Sequence, residues 1–315
     1  MNYTLKKNEI AKAIAETVAY FDIFDYPLTC FEIWKYSPEK CELNDIEKIL
    51  AAGGNGLDSK DGFYFLADRE EIIRIRRKRR ETFAKKIKIA ARAVRYLKLI
   101  PWLKMIAIGN IMGAHNLKSS GDIDFFIVTK RGRIWLARFF SIIFVKLMDL
   151  RPQKNNIKDK ICLSFFIAED SMCLKDLMLS DEAGGKDAYF IYWLSGLKPI
   201  YEIGGWYEKL IEKNLWLKNY LPNWEATKPL APKKDGSALF RLLKNTASFL
   251  FSPFEPLARI IQKKIMPPDM KILMNKDTRV VISDKIIKTH INDRRELYRK
   301  LWREKINKMN NENYE

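Results

Sequence analysis

Three short apolar runs constrain the fold most. Met105-Ile106-Ala107-Ile108, Phe125 to Val128 and Ile161 to Ile167 have strand length and are bounded by polar or glycine-bearing segments. They predict strands of one sheet. Arg133 to Leu150 lies between the second and third runs. Its Ile134, Trp135, Phe139, Ile142, Ile143 and Leu147 recur at helical spacing and predict a helix packed on that sheet. The expected class is α+β, a mixed sheet with flanking helices.

The first run stops at Gly109-Asn110, and Asp122-Ile123-Asp124 opens the second. Carboxylates two residues apart on a strand project to one face. There they repel unless a cation lies between them. Asp122 and Asp124 are therefore candidate ligands of a hard metal, most simply Mg²⁺ with substrate phosphates filling its other positions. Gly109 would let backbone amides come close to a phosphate.

This arrangement resembles the nucleotidyltransferase superfamily that includes DNA polymerase beta, whose signature is Gly-Ser, about a dozen residues, then Asp-x-Asp. The sequence departs from it at Asn110, where the family usually has Ser. The resemblance implies Mg²⁺-dependent transfer of a nucleoside monophosphate from a nucleoside triphosphate to an acceptor hydroxyl, with RNA one candidate acceptor. Asp122 and Asp124 would be the catalytic metal ligands. Gly109, Asn110, Ser119, Ser120 and Gly121 would position the triphosphate. A third carboxylate is implied on the third strand, where it would complete a two-ion site and accept a proton. That strand has no acid. The positions expected on its active face, Cys162, Ser164 and Phe166, offer at best a hydroxyl, while Asp159, Glu169 and Asp170 flank it. The alternative is a degenerate nucleotide-binding core acting as a nucleic-acid or protein binding module. His115 lies in the same loop, where it could contact phosphate or base; His290 has no evident partner.

Residues 1–67 read as three helices and a β-hairpin, resembling a winged helix-turn-helix. Thr29 would cap the second helix and Asn44 the third. The third helix exposes Glu42, Asp45 and Glu47, an acidic surface that suits packing against protein better than gripping DNA. Residues 68–103 read as a long basic connecting helix. Its cluster of Arg74, Arg76, Arg77, Lys78, Arg79 and Arg80 is a candidate nucleic-acid-binding surface or a solvated face. Residues 104–175 would be the nucleotidyltransferase core. Residues 176–315 read as mostly helical, with a Pro/Lys-rich loop at 222–236, a short strand near Arg279 to Ser283 and a final helix from Asp284. The order of segments also resembles bacterial nucleotidyltransferase-like proteins of unknown substrate, through Gly62 to Leu66, Arg69 to Glu71, Asn214, Trp216 and Leu221 to Asn223.

The net charge of +18 favours nucleotides, RNA or another polyanion, or an anionic membrane face. Ser237 to Met266 reads as a basic, aromatic-bearing helical pair docked on the core, which argues against a membrane partner. The four Cys residues form no CxxC pair and suit a reducing compartment. Without an apolar leader stretch, the expected location is cytoplasmic.

Overall fold

The computed structural model describes residues 3–53, 56–109, 116–153, 155–180, 186–226, 229–230 and 238–312. Asn110, His115 and much of the loop at 222–236 lie outside them. The expected three helices and hairpin are present as α1 (Tyr3–Asp22), α2 (Cys30–Tyr36), α3 (Leu43–Ala52), β1 (Leu57–Lys60) and β2 (Phe63–Leu66). Thr29 caps α2 as expected, in a reciprocal capping box with Glu32. The start of α3 differs: Glu42 is its cap, and Asn44 lies inside the helix.

Helix α4 (Glu71–Leu97) leads to a six-stranded mixed sheet. The predicted strands are β3 (Leu103–Ile108), β4 (Ile123–Thr129) and β5 (Ile161–Ala168), with α5 (Ile134–Leu147) between the last two. β4 runs antiparallel to β3 and parallel to β5. The side of α5 that packs inward is not the full apolar stripe. Ile134, Ala137, Ser141 and Val145 are buried, whereas Leu147 is 77% exposed. The small residues Ala137 and Ser141 lie fully buried on this side.

Residues 176–315 contribute more strand than expected. β6 (Lys198–Glu202) follows α6 (Ala188–Ser195), while β7 (Val280–Ile282) and β8 (Ile286–Thr289) precede α11 (Arg295–Glu312). Between these lie α7 (Trp206–Lys213), α8 (Ala238–Phe251), α9 (Glu255–Lys264) and α10 (Pro268–Leu273). The strand order is β6-β3-β4-β5-β8-β7. Pro199 explains the position of β6: it is incompatible with a helix interior but tolerated on an edge strand. The helix expected from Asp284 begins only at Arg295, because β8 pairs with β5 first.

Both faces of the sheet are covered. Ile106, Ile108, Phe125, Ile127 and Phe166 face α4, α5 and α9. Met105, Ala107, Phe126, Val128 and Phe165 face α6 and belong to one apolar cluster with Ile14, Phe21 and Ile33 of the first helices. The N-terminal helical unit therefore packs against its own chain through its apolar residues, while Glu42 and Glu47 at the third helix stay exposed. No described helix is long and apolar enough to cross a membrane.

Candidate functional site

Asp122 immediately precedes β4, and Asp124 is its second residue. Asp124 pairs in register with Cys162 on β5. In a parallel pair, residues in register point to the same face, so the thiol meets the carboxylates. One ligand atom from each of Asp122, Asp124 and Cys162 can be chosen such that all lie within 4.8 Å of one another.

A β-bulge then changes the phase of β5. Asp124 pairs with Cys162 but Phe126 pairs with Phe165, so Phe125 alone opposes both Leu163 and Ser164. Ser164 and Phe165 both border the Asp124 side of the sheet. Phe166, expected on this face, packs on the other. The flanking acids are engaged elsewhere. Asp159 is ion-paired with Lys86 at 2.9 Å. Glu169 accepts from the Arg131 amide, and Asp170 pairs with Arg131 at 3.2 Å. None of the three belongs to the cluster around Asp122 and Asp124.

No family model, curated protein or solved structure matches this chain.

Lys86 is a component that the sequence reading did not single out. It is 1% exposed, donates to the Gly121 carbonyl at 2.5 Å and pairs with Asp159. It thereby fixes the turn that presents Asp122 and places a buried positive charge beside it. Gly121 also accepts from the Asp159 amide at 3.2 Å. Ser119 and Ser120 are exposed on the same turn, and Leu117 anchors it in the core.

Gly109 plays a different part from the one expected. Its N–H donates to Asp124 O at 2.9 Å, so this amide is committed to the sheet and not presented to a phosphate. Its carbonyl accepts from the Trp193 indole. A Cβ here would lie 3.1 Å from Trp193 Nε1, so close packing under the indole is what calls for glycine.

A cavity of about 170 Å³ opens beside Asp124. Ser164, Tyr189, Trp193, Lys288, His290 and Arg294 are among the residues that line it. α6 forms one wall. It is apolar on every side and accordingly buried, and Asp187 caps it by accepting from Phe190 N. Trp193 stacks on Phe165 at 5.3 Å, and Tyr189 stacks on Tyr298 of α11 at 5.3 Å. Arg295 joins the walls: it donates to Asp187 at 2.9 Å and to Asp293 at 2.8 Å, with all three side chains buried.

Burial dominates the electrostatics. It raises the Asp122 carboxyl above its ordinary pKa, opposed by a backbone amide, Lys86 and the Cys162 thiol. Burial, reinforced by the two carboxylates, holds the Cys162 thiol well above its usual value, so the sulfur is protonated at neutral pH. On the opposite wall, burial and the Lys288 charge lower His290 from 6.5 to about 4. This imidazole is neutral at pH 7, with Nε2 3.0 Å from Ser164 Oγ. Its Nδ1 is buried without a partner among the described residues. No local pattern signals the Ser164–His290 pair, because β8 was not expected beside β5.

The basic run of α4 divides into two sets. Arg76 forms a bidentate pair with Glu32 at 2.7 and 2.9 Å and lies over the Tyr26 and Phe63 rings. Arg79 donates to Asn116 Oδ1 at 2.6 Å and to the Phe24 carbonyl. These two side chains tie α4 to the N-terminal unit and to the site loop. Arg77 pairs with Asp61 at 2.6 Å, while Arg74, Lys78 and Arg80 are exposed.

Proposed function

We propose that the protein is a nucleotidyltransferase-type enzyme, using a divalent cation to move a nucleoside monophosphate from a nucleoside triphosphate to an acceptor hydroxyl. One observation carries this reading: Asp124 belongs both to the three-group cluster and to the wall of the cavity. The strand, loop, Asp-x-Asp strand, helix and parallel strand also follow the superfamily's order. The donor set fits a divalent cation. Asp122 and Asp124 are the hard oxygen ligands suited to Mg²⁺, and Cys162 would add a softer donor if a cation displaced its proton. A cation there would neutralise charge developing on the phosphoryl group and leaving pyrophosphate.

The chain's own residues supply the rest. Ser119 and Ser120 provide exposed hydroxyls on the turn before Asp122. Arg294, exposed at the rim of the cavity, supplies a cation for triphosphate oxygens. Tyr189 and Trp193 give the cavity an aromatic wall. With Arg76 and Arg79 bound internally, RNA as acceptor rests on Arg74, Lys78 and Arg80. A reducing, cytoplasmic setting would suit this activity.

The second reading, a nucleotide-binding module without efficient transfer, is favoured by Cys162 and His290. A protonated thiol stands where a third carboxylate would accept a proton. His290, which burial and the Lys288 charge lower to about 4, is a weaker proton acceptor than an ordinary imidazole.

Isothermal titration of ATP, GTP, CTP and UTP with Mg²⁺ or Mn²⁺ decides whether a nucleotide site exists. Wild type should bind at least one triphosphate in a metal-dependent way, and the Asp122→Ala/Asp124→Ala double variant should bind none. Absence of binding by wild type to all four would sink both readings. Binding without pyrophosphate release, across RNA, protein and small-molecule acceptors, would select the second.

A further inference from the structure

Helix α8 is turned inside out. The side facing the body of the protein carries Lys244, Ser248 and Phe251. Lys244 Nζ donates to Tyr201 OH at 3.4 Å, Ser248 Oγ accepts from Trp102 Nε1 at 2.9 Å, and Phe251 meets Phe140 at 5.4 Å between ring centroids. The opposite side carries Leu242, Leu243, Phe249 and Leu250, which are 62%, 59%, 82% and 59% exposed. The expected hairpin, with its apolar residues docked on the core, is therefore only half formed. α9 docks through Ala258 and Gln262, with Gln262 donating to the Trp135 carbonyl at 2.8 Å. Its Leu257 and Ile260 continue the exposed surface.

We infer that α8 and α9 form a docking surface for an anionic phospholipid bilayer. An exposed aliphatic and aromatic face bordered by cations is the pattern of a helix lying in the membrane interface. Residues 238–274 hold six Lys and Arg against two acids, Glu255 and Asp269. Glu255 is already occupied, accepting from the Trp135 and Leu136 amides at 2.9 and 3.0 Å. The border is positive, with Lys263 and Lys264 exposed on α9 beside Arg259, which pairs with Asp284 at 3.0 Å. A second copy of the chain fits this surface poorly. Two-fold pairing would bring the same cationic border against itself, whereas negative headgroups complement it. The inference is independent of any nucleotide chemistry.

Flotation of the full chain with phosphatidylcholine vesicles, with and without phosphatidylglycerol, tests this surface. Wild type should float with the phosphatidylglycerol vesicles, and added salt should weaken the binding. The Phe249→Ser/Leu250→Ser and Lys263→Glu/Lys264→Glu variants should each lose binding by about tenfold or more, with unchanged thermal melts. The idea is overturned if wild type does not float, or if both variants float normally. It also fails if the serine pair lowers the melting temperature, which would mean that the chain itself covers this face. Light scattering that shows a dimer dissociated by the serine pair would give the surface to a second copy instead.

Discussion

Cys162 stands opposite Asp124 on the neighbouring parallel strand, and replacing it tests the proposed metal site. In Cys162→Asp, Mg²⁺ should bind more tightly, on the order of tenfold or about 1.4 kcal/mol. Cd²⁺ should bind more weakly, because the soft donor is gone. Three adjacent carboxylates repel, so this variant should melt below wild type in EDTA and recover with Mg²⁺. Metal titrations and melts together check the expectation; equal Mg²⁺ and Cd²⁺ affinities in variant and wild type would remove Cys162 from the site. His290 gives a pH signature. Its folded pKa, about 4, lies below the ordinary 6.5, so the unfolded chain takes up the proton first as the solution is acidified. The associated stability is fully present above pH 6.5 and is lost as pH falls toward 4. The loss amounts to about 3 kcal/mol at most. His290→Gln should show a shallower fall in denaturation free energy across that window, and identical pH profiles would contradict the assignment.

At the scale of elements, α6, α11 and the entry to β7 are fastened by Arg295. It bridges Asp187 and Asp293 and donates to the Leu177 carbonyl at 2.8 Å and to Thr278 Oγ1 at 2.6 Å. Arg295→Met would leave two buried carboxylates without their guanidinium, at a cost of about 3–5 kcal/mol. Chemical denaturation measures that directly, and a change within error of zero would show the network to be dispensable. The sequence made part of this architecture legible. Asp122 and Asp124 follow the two-residue period of a strand, and Thr29 with Glu32 is a local capping box. Both signals need only near neighbours. The bulge in β5 is set by pairing with β4, and β8 takes its place through a ladder to β5, so neither is written in a local pattern. β6 was obscured because Pro199 and Lys198 weaken a strand signal that an edge position tolerates. Lys86 left a faint trace. It falls on the helical face of Phe83, Ile87 and Ala90, and a cation inside an apolar stripe signals a buried partner.

For the molecule as a whole, the apolar cluster that joins the first helices to the sheet makes the N-terminal unit a structural partner of the core. Trp302 of α11 donates to the Glu16 carbonyl at 2.9 Å and meets Tyr20 edge-on at 5.6 Å, while Lys305 pairs with Asp22 at 2.6 Å. Calorimetry should therefore show one transition. Trp302→Ala should lower that single peak, by about 3–5 kcal/mol in stability, without splitting it. A separate early transition for the N-terminal helices would contradict the shared core. The strand order has a further consequence for how the chain is made. Ser164 of β5 and Thr289 of β8 are bonded across the ladder yet lie 125 residues apart. During synthesis β5 must wait, its backbone edge unpaired, until β8 emerges. An emerging chain thus carries an open strand edge through much of its translation, and chaperone dependence should be greatest for ribosomes stalled between these two strands.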